Sequence, residues 1–170
     1  NNDGWVDLFL ASSDDNTLSY FLNTGNDQFQ PAAIISSSYI QPQHIRLVDL
    51  TNDGEKDLIV STHGDHSVLW FKNNGNGVFD SGHVVDSTTF APGYVNGADW
   101  DNDGYNDIIF TGQNNTVAWL KNLGGGNFSS TLVLTNSIND PYSVEVGDYD
   151  TDGDIDIVTG AIQAPYSVDV

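Results

Sequence analysis

Short runs of apolar residues, separated by polar segments rich in Gly, Asn and Asp, recur along the whole sequence. Consecutive side chains of a strand point to opposite faces, so an unbroken apolar run predicts a strand that is buried on both faces. Four such runs occupy residues 8–10, 58–60, 108–110 and 157–158.

Each of the first three runs is followed by further segments typical of short strands. A second, alternating strand ends near an aromatic residue and leads into a turn with Asn and Gly, which supply the positive φ of tight hairpins. A third strand opens with Phe, and a last strand precedes the next polar loop. The aromatic residues are Tyr20, Trp70 and Trp119, the turn residues Asn23, Asn73 and Asn122, and the third-strand residues Phe29, Phe79 and Phe128.

These segments form a unit of about fifty residues that recurs along the chain. The repeats span approximately 1–48, 49–98, 99–147 and 148–170, the last being incomplete. Four-stranded antiparallel units of this length, repeated around an axis, are typical of a β-propeller. We therefore predict an all-β fold in which residues 1–170 form a single partial propeller of about 3.5 blades. A parallel β-helix is disfavoured because its repeat is several times shorter.

The polar loop before each apolar run carries the most specific motif of the sequence. Its pattern is Asp-x-(Asp/Thr)-x-Asp-Gly-x-x-Asp, and the equivalent residues Asp3, Asp53, Asp103 and Asp152 lie 50, 50 and 49 residues apart. Calcium takes six to eight oxygen ligands from carboxylates and backbone carbonyls, and a glycine permits the sharp turn of the loop. The pattern therefore predicts calcium-binding loops.

The expected ligands come from the first, third, fifth and ninth places of each loop and from the carbonyl of the seventh. In the second loop threonine replaces one carboxylate, so we expect this loop to bind calcium less tightly. The first loop lacks its opening aspartate, so we expect two to four Ca²⁺ ions in all. The candidate ligands are Asn1, Asp3 and Asp7 in the first loop; Asp49, Thr51, Asp53, Glu55 (carbonyl) and Asp57 in the second; Asp99, Asp101, Asp103, Tyr105 (carbonyl) and Asp107 in the third; and Asp148, Asp150, Asp152, Asp154 (carbonyl) and Asp156 in the fourth.

Other interpretations of these loops predict different chemistry. The aspartates could form hydrogen-bonded turns at solvated loop tips without any ion. Magnesium prefers to retain water in an octahedral shell, and an EF-hand requires glutamate at the twelfth place, where Val60, Phe110 and Thr159 stand. His63 and His66 are spaced as a zinc pair but lack further ligands nearby in the sequence.

The fifty-residue spacing, the aspartate loop and the aromatic, Asn, Gly and Phe positions behind it resemble the FG-GAP/VCBS repeats of calcium-binding propellers. Such repeats occur in integrin α-subunits and in many secreted bacterial proteins. The resemblance covers essentially the whole chain. It implies a calcium-binding propeller module that is secreted or displayed at the cell surface and mediates adhesion or ligand binding.

Composition excludes several classes of partner and chemistry. The formal net charge is −20 with only four Lys and Arg residues, so no basic surface is available for nucleic acid or for anionic membranes. Thirteen of the 24 acidic residues are the motif aspartates of the four loops, where bound cations would neutralise much of their charge. Cysteine is absent, and no G-x-S-x-G motif or phosphate-binding glycine loop occurs, so we expect no enzymatic activity.

The leading functional hypothesis is thus a non-catalytic calcium-binding module, and the alternative is a carbohydrate-binding accessory part of a secreted polysaccharide-degrading enzyme. Tyr20, Trp70 and Trp119 could stack on sugars, but their recurrence at one place in each repeat favours packing between blades. A propeller needs at least four blades. Because residues 166–170 closely repeat residues 142–146, two chains could complete a ring of about seven blades as a homodimer.

Overall fold

The computed structural model describes residues 1, 3–26 and 28–162, and this part of the chain consists of β-strands and their connections without any helix. No segment of it therefore provides a helix long and apolar enough to cross a membrane. Residues 166–170, on which the prediction of complementary chain ends depends, lie outside the described residues.

Most of the strands are short, as the sequence predicts. In chain order they are β1 (Leu8–Ser12), β2 (Thr17–Phe21), β3 (Asn23–Gly25), β4 (Gln28–Phe29), β5 (Ala33–Ser36), β6 (Pro42–Val48), β7 (Asp57–Thr62), β8 (Ser67–Phe71), β9 (His83–Asp86), β10 (Pro92–Ala98), β11 (Asp107–Gly112), β12 (Thr116–Leu120), β13 (Leu132–Thr135), β14 (Pro141–Gly147) and β15 (Asp156–Ala161).

These strands form a series of antiparallel sheets, which are the blades of the propeller. Blade 1 contains β1, β2 and β5, blade 2 contains β6 to β9, blade 3 contains β10 to β13, and blade 4 contains β14 and β15. Strands β3 and β4 make a separate small hairpin beside blade 1. The prediction of an all-β fold with four-stranded antiparallel blades is confirmed.

The blades are shifted by one strand relative to the sequence repeats, because the strand before each aspartate loop pairs with the strand after it. Val48 pairs with Asp57 across the second loop, and Ala98 pairs with Asp107 across the third. Gly147 pairs with Asp156 in the same way. Each aspartate loop from the second onward is therefore a connection within one blade.

The consecutive apolar residues of β7 and β11 are explained by packing on both faces of a blade. Every residue of these two strands is buried. Leu58 and Val60 pack in one cluster with Leu18 of blade 1, whereas Ile59 packs in another with Ile108 of blade 3. At the two end blades one face has no neighbouring blade, so β1 and β15 are only partly buried.

The recurring aromatic residue of the second strand also packs between blades. Trp70 of β8 is 7% exposed, and its ring lies against Gly126 and Phe128 of blade 3. Tyr20 of β2 contacts Gly77 and Phe79 of blade 2 in the same manner. These rings therefore join neighbouring blades and do not form an exposed surface for sugars.

The first strands of successive blades, β6, β10 and β14, lie side by side and form the inner edge of the structure. Arg46 of β6 donates to Glu145 of β14 at 2.8 Å, and Asn96 of β10 donates to the other oxygen of Glu145 at 2.9 Å. One carboxylate thus connects three blades at this edge. The aspartate loops follow these strands at one end of the blades, and the opposite end holds the starts of the same strands.

Candidate metal centre

The backbone of all four aspartate loops adopts the turn that the motif predicts. The sixth-place glycines Gly4, Gly54, Gly104 and Gly153 have φ between 87° and 98°. An L-residue with a side chain rarely adopts such a φ, so glycine is needed at this place. The turn is reinforced by the first-place aspartates, since Asp49 and Asp99 each accept a hydrogen bond from the glycine N–H of their loop at 2.9 Å.

In the third loop, the first three aspartates come together. One carboxylate oxygen from each of Asp99, Asp101 and Asp103 lies within 4.8 Å of the others. Lys121, at the end of β12, reaches this cluster and forms ion pairs with Asp101 and, at 2.8 Å, with Asp103. The two carboxylates raise the pKa of Lys121, and the ammonium group in turn lowers the pKa of Asp103. Tyr105, the expected carbonyl ligand, donates its N–H to Asp103 at 3.0 Å.

The fourth loop also brings three carboxylates together, but not the same three. Oxygen atoms of Asp148, Asp150 and Asp156 lie within 4.8 Å of one another. Asp152 accepts the N–H of Asp154 at 3.0 Å, and the Asp154 carboxylate accepts a hydrogen bond from Asn102 of the third loop. Neighbouring loops therefore contact one another directly.

The second loop does not form such a cluster among its acidic residues in the described part of the chain. The N–H of Glu55 donates to Asp53 and is the main reason that the pKa of Asp53 is lowered. Lys72 forms an ion pair with Asp53 at 3.0 Å and lowers this pKa further. Thr51 donates its N–H to Asp49 at 3.3 Å. The prediction that this loop binds calcium less tightly stays a prediction.

The first loop holds its three candidate ligands in a hydrogen-bonded turn. The Asn1 side chain donates to Asp3 at 2.9 Å, and Asp3 accepts the N–H of Trp5. Asp7 accepts the N–H of Asn23 at 2.9 Å. These residues are not among the clustered carboxylates of the described chain.

The ninth-place aspartate has a structural role that the motif alone does not reveal. Asp107 is buried and accepts two backbone N–H groups, from Trp100 at 3.2 Å and from Asn122 at 2.6 Å. Asp57 likewise accepts hydrogen bonds from the backbone N–H groups of Leu50 and Asn73. Burial raises the pKa of both carboxylates, and their hydrogen bonds oppose that shift. Both side chains therefore fasten the aspartate loop to the hairpin that follows the second strand of the blade.

The asparagine of this hairpin also helps to fasten the hairpin to the aspartate loops. Asn122 is fully buried and donates to the carbonyls of Asn106 and of Leu50, the latter in blade 2. Its side-chain oxygen accepts the N–H of Gly124. Asn and Gly supply the positive φ of these hairpins, as predicted, but not at Asn23, Asn73 and Asn122 themselves. The left-handed positions follow them and include Gly25, Asn26, Gly75, Asn76 and Gly124.

The oxygen donors of the third and fourth loops fit calcium. Two oxygens bound to one calcium at about 2.3–2.6 Å cannot lie more than about 5 Å apart, and both clusters meet this limit. A purely carboxylate donor set suits a hard cation rather than zinc. His63 and His66 do not belong to any cluster of three potential metal ligands in the described chain, and His66 instead accepts the N–H of Ala91 at 3.2 Å.

Sequence analysis missed the two lysines that reach the loops. Lys72 and Lys121 each precede the hairpin asparagine, so a Lys-Asn pair recurs at the same place in two repeats. With four basic residues in the whole chain, that recurrence is the signal that could have identified them. Their ammonium groups partly neutralise the carboxylates of the second and third loops.

Comparisons with known proteins agree with this architecture. No curated protein sequence matches the chain. Among solved structures, a lectin of Agrocybe aegerita, described as recognising non-reducing terminal N-acetylglucosamine, superposes with a TM-score of 0.61 at 22% identity. The match covers 85% of this chain and 41% of the lectin, so the chain spans about two fifths of that protein's length.

A match to the FG-GAP-like repeat occurs three times, over residues 1–60, 49–110 and 99–159. Successive matches overlap by one aspartate loop and the strand that follows it. Each match therefore begins at or within one aspartate loop and ends in the strand that follows the next aspartate loop. The chain therefore belongs to the family of proteins built from FG-GAP-like repeats.

Proposed function

We propose that this chain is a non-catalytic, calcium-stabilised propeller module that binds a ligand outside the cell. The proposal rests above all on the clustered carboxylates of the third and fourth loops. Membership in the FG-GAP-like repeat family supports the propeller architecture and is in keeping with an extracellular location.

Calcium would be held by carboxylates of the aspartate loops and would neutralise charges that otherwise repel one another. Each of these loops joins the first two strands of a blade, so a bound ion would fix their connection. In the third loop the ion would compete with Lys121, which pairs with Asp101 and Asp103. Such weak structural sites are typical of extracellular modules, with dissociation constants of ~10⁻⁴–10⁻³ M.

The proposal predicts that calcium raises the free energy of unfolding. At about 1 mM calcium, one site of that affinity contributes about 0.4–1.4 kcal/mol. Urea unfolding in calcium and in chelator measures the effect. Asp101→Asn should reduce the difference between the two conditions, whereas Asp14→Asn, an exposed aspartate outside the loops, should leave it unchanged. Identical unfolding curves in calcium and in chelator would contradict the proposal.

Glycan recognition is a second candidate for the ligand-binding role. It is motivated by the fold shared with the Agrocybe aegerita lectin, and the identity of 22% limits that likeness to the fold. The chain could equally serve as a carbohydrate-binding accessory part of a secreted polysaccharide-degrading enzyme. Saturable glycan binding without cleavage would separate a recognition module from a catalytic one.

We further propose that a second copy of the chain covers the open faces of blades 1 and 4. Leu8 of β1 is 53% exposed and Val158 of β15 is 53% exposed, although equivalent residues of blades 2 and 3 are buried. Two sets of about 3.5 blades would complete a ring of about seven. Equilibrium sedimentation should then give twice 18.4 kDa in calcium. A single-chain mass at all protein concentrations would contradict the homodimer.

A further inference from the structure

A cavity of about 370 Å³ lies at the end of the blades opposite the aspartate loops. It is lined by the first residues of β6, β10 and β14 and by the residues that follow β7 and β11, so blades 2, 3 and 4 all contribute. Its volume falls in the range of small-molecule sites, about 300–1,000 Å³. Because no candidate calcium ligand lines it, this cavity is separate from the metal centre.

Three aromatic side chains form a row along one wall of the cavity. The rings of His44 and Tyr94 are stacked with centroids 4.1 Å apart, and those of Tyr94 and Tyr142 are 5.4 Å apart. The three residues come from three neighbouring inner strands. Tyr142 ends the row and is 57% exposed. Within the row the ring faces are largely turned to one another, so the exposed Tyr142 at its end offers the apolar ring face, with its partial negative charge, that remains for a ligand.

The wall is polar without being cationic. Burial is the main reason that the pKa of His44 is lowered to about 4, so this imidazole is neutral near pH 7. Its Nδ1 accepts the N–H of Val95 at 3.3 Å, which places the ring hydrogen on Nε2. No lysine or arginine is among the described lining residues. An anionic ligand such as a phosphate would therefore find no charge partner in this wall.

Several polar groups of the wall are suited to hydroxyl groups. Gln43 and Gln113 supply amide donors and acceptors, and Asp140 supplies a carboxylate. His63 also lines the cavity, and its Nε2 is buried without a hydrogen-bond partner in the described structure. Buried polar atoms in native proteins nearly always have a partner. A ligand or a water molecule in the cavity can provide one.

From this combination we propose that the cavity binds a neutral sugar residue, with the apolar face of the pyranose ring against Tyr142, at the end of the row. The C–H groups of that face carry partial positive charge and suit the negative face of an aromatic ring. The sugar hydroxyls match the amides of Gln43 and Gln113 and the nitrogen of His63. A quaternary ammonium group would suit the rings as well, but the group itself makes no hydrogen bonds, and a small ligand such as choline offers fewer hydroxyl groups than a sugar.

This inference rests on the proposed ligand-binding function and adds a ligand class to it. It is tested by calorimetric titration of the full 170-residue chain with neutral sugars. N-acetylglucosamine, glucose and galactose serve as probes, with choline and glucose 6-phosphate as charged comparisons. At least one neutral sugar should bind saturably in the millimolar range. Tyr142→Ala should weaken that binding at least tenfold. Phe29→Ala, which replaces an exposed aromatic residue of the β3–β4 hairpin outside the cavity, should leave the binding unchanged.

Tyr142 is exposed, so its replacement should not prevent folding, and Gln113→Ala provides a second variant that tests the hydrogen bonds. Absence of saturable binding by all three neutral sugars would overturn the inference, as would undiminished binding by Tyr142→Ala or a preference for choline. The calcium-dependent unfolding experiment is independent of this cavity. A chain that calcium stabilises but that binds no sugar would therefore refute the cavity proposal alone.

Discussion

Asp107→Asn is expected to lower the free energy of unfolding by about 2–4 kcal/mol, in calcium and in chelator alike. The Asp107 carboxylate accepts N–H groups from both Trp100 and Asn122, and it is buried. An asparagine amide has one acceptor oxygen, and its NH₂ group would face an N–H donor at the other position. A buried donor left without an acceptor costs about 1–3 kcal/mol, in addition to the lost hydrogen bond to a charged group.

Asp101→Asn is the matched control for this prediction, because Asp101 lies in the same loop but on its exposed side. Its replacement should cost stability mainly when calcium is present, since the ion-pair partner of its carboxylate is the partly exposed ammonium group of Lys121. Urea unfolding of both variants with and without calcium separates the two roles. If the cost of Asp107→Asn disappeared in chelator, Asp107 would be a metal ligand and not a structural connection.

The repeat and the fold class were predictable from the sequence because they are encoded several times over. A single apolar run such as residues 58–60 is ambiguous, but four runs at the same place behind an aspartate loop are not. The strands β7 and β11 are buried on both faces, as those runs predict. The packing role of Trp70 could be inferred in the same way, because a recurring position must satisfy the same contact in each blade.

The different roles of the aspartates within one loop, as candidate metal ligands or as acceptors of structural hydrogen bonds, were not predictable from local sequence. The ninth-place aspartate begins a buried strand, so its carboxylate is drawn into hydrogen bonds with backbone groups. Asn122 looks like an ordinary turn residue, but its side chain bonds the carbonyl of Leu50, 72 residues away. Such a contact depends on how two blades pack, and a local pattern carries no information about it.

The cavity for which we propose sugar binding was missed for a related reason. Its aromatic row does not recur at one position of the repeat: His44 and Tyr94 are two residues after the proline that begins their strands, whereas Tyr142 is one residue after Pro141. Periodicity therefore gave no signal. The rings meet because the inner strands of three blades lie side by side.

Gly126→Ala is expected to destabilise the protein by about 2–5 kcal/mol by disrupting the packing between blades 2 and 3. Gly126 has a φ of 78°, and a Cβ atom there would lie 2.5 Å from a carbon of the Trp70 ring. The left-handed backbone alone costs about 1–2 kcal/mol with a side chain. Displacement of a tightly packed ring adds about 1–3 kcal/mol. Because Trp70 is nearly buried, it has little room to move away.

Gly125→Ala separates these two contributions, since Gly125 also has a positive φ, of 62°, but a Cβ there would meet only the Asn127 side chain, at 3.6 Å. It should therefore cost only the backbone strain. Urea unfolding of both variants, repeated in a Trp70→Ala background, forms a double-mutant cycle. Without the indole ring, the cost of Gly126→Ala should fall to that of Gly125→Ala. If the two glycine substitutions cost the same free energy of unfolding in the presence of Trp70, the Trp70 ring can move aside without cost. Blades 2 and 3 would then be joined mainly by the cluster around Ile59 and Ile108.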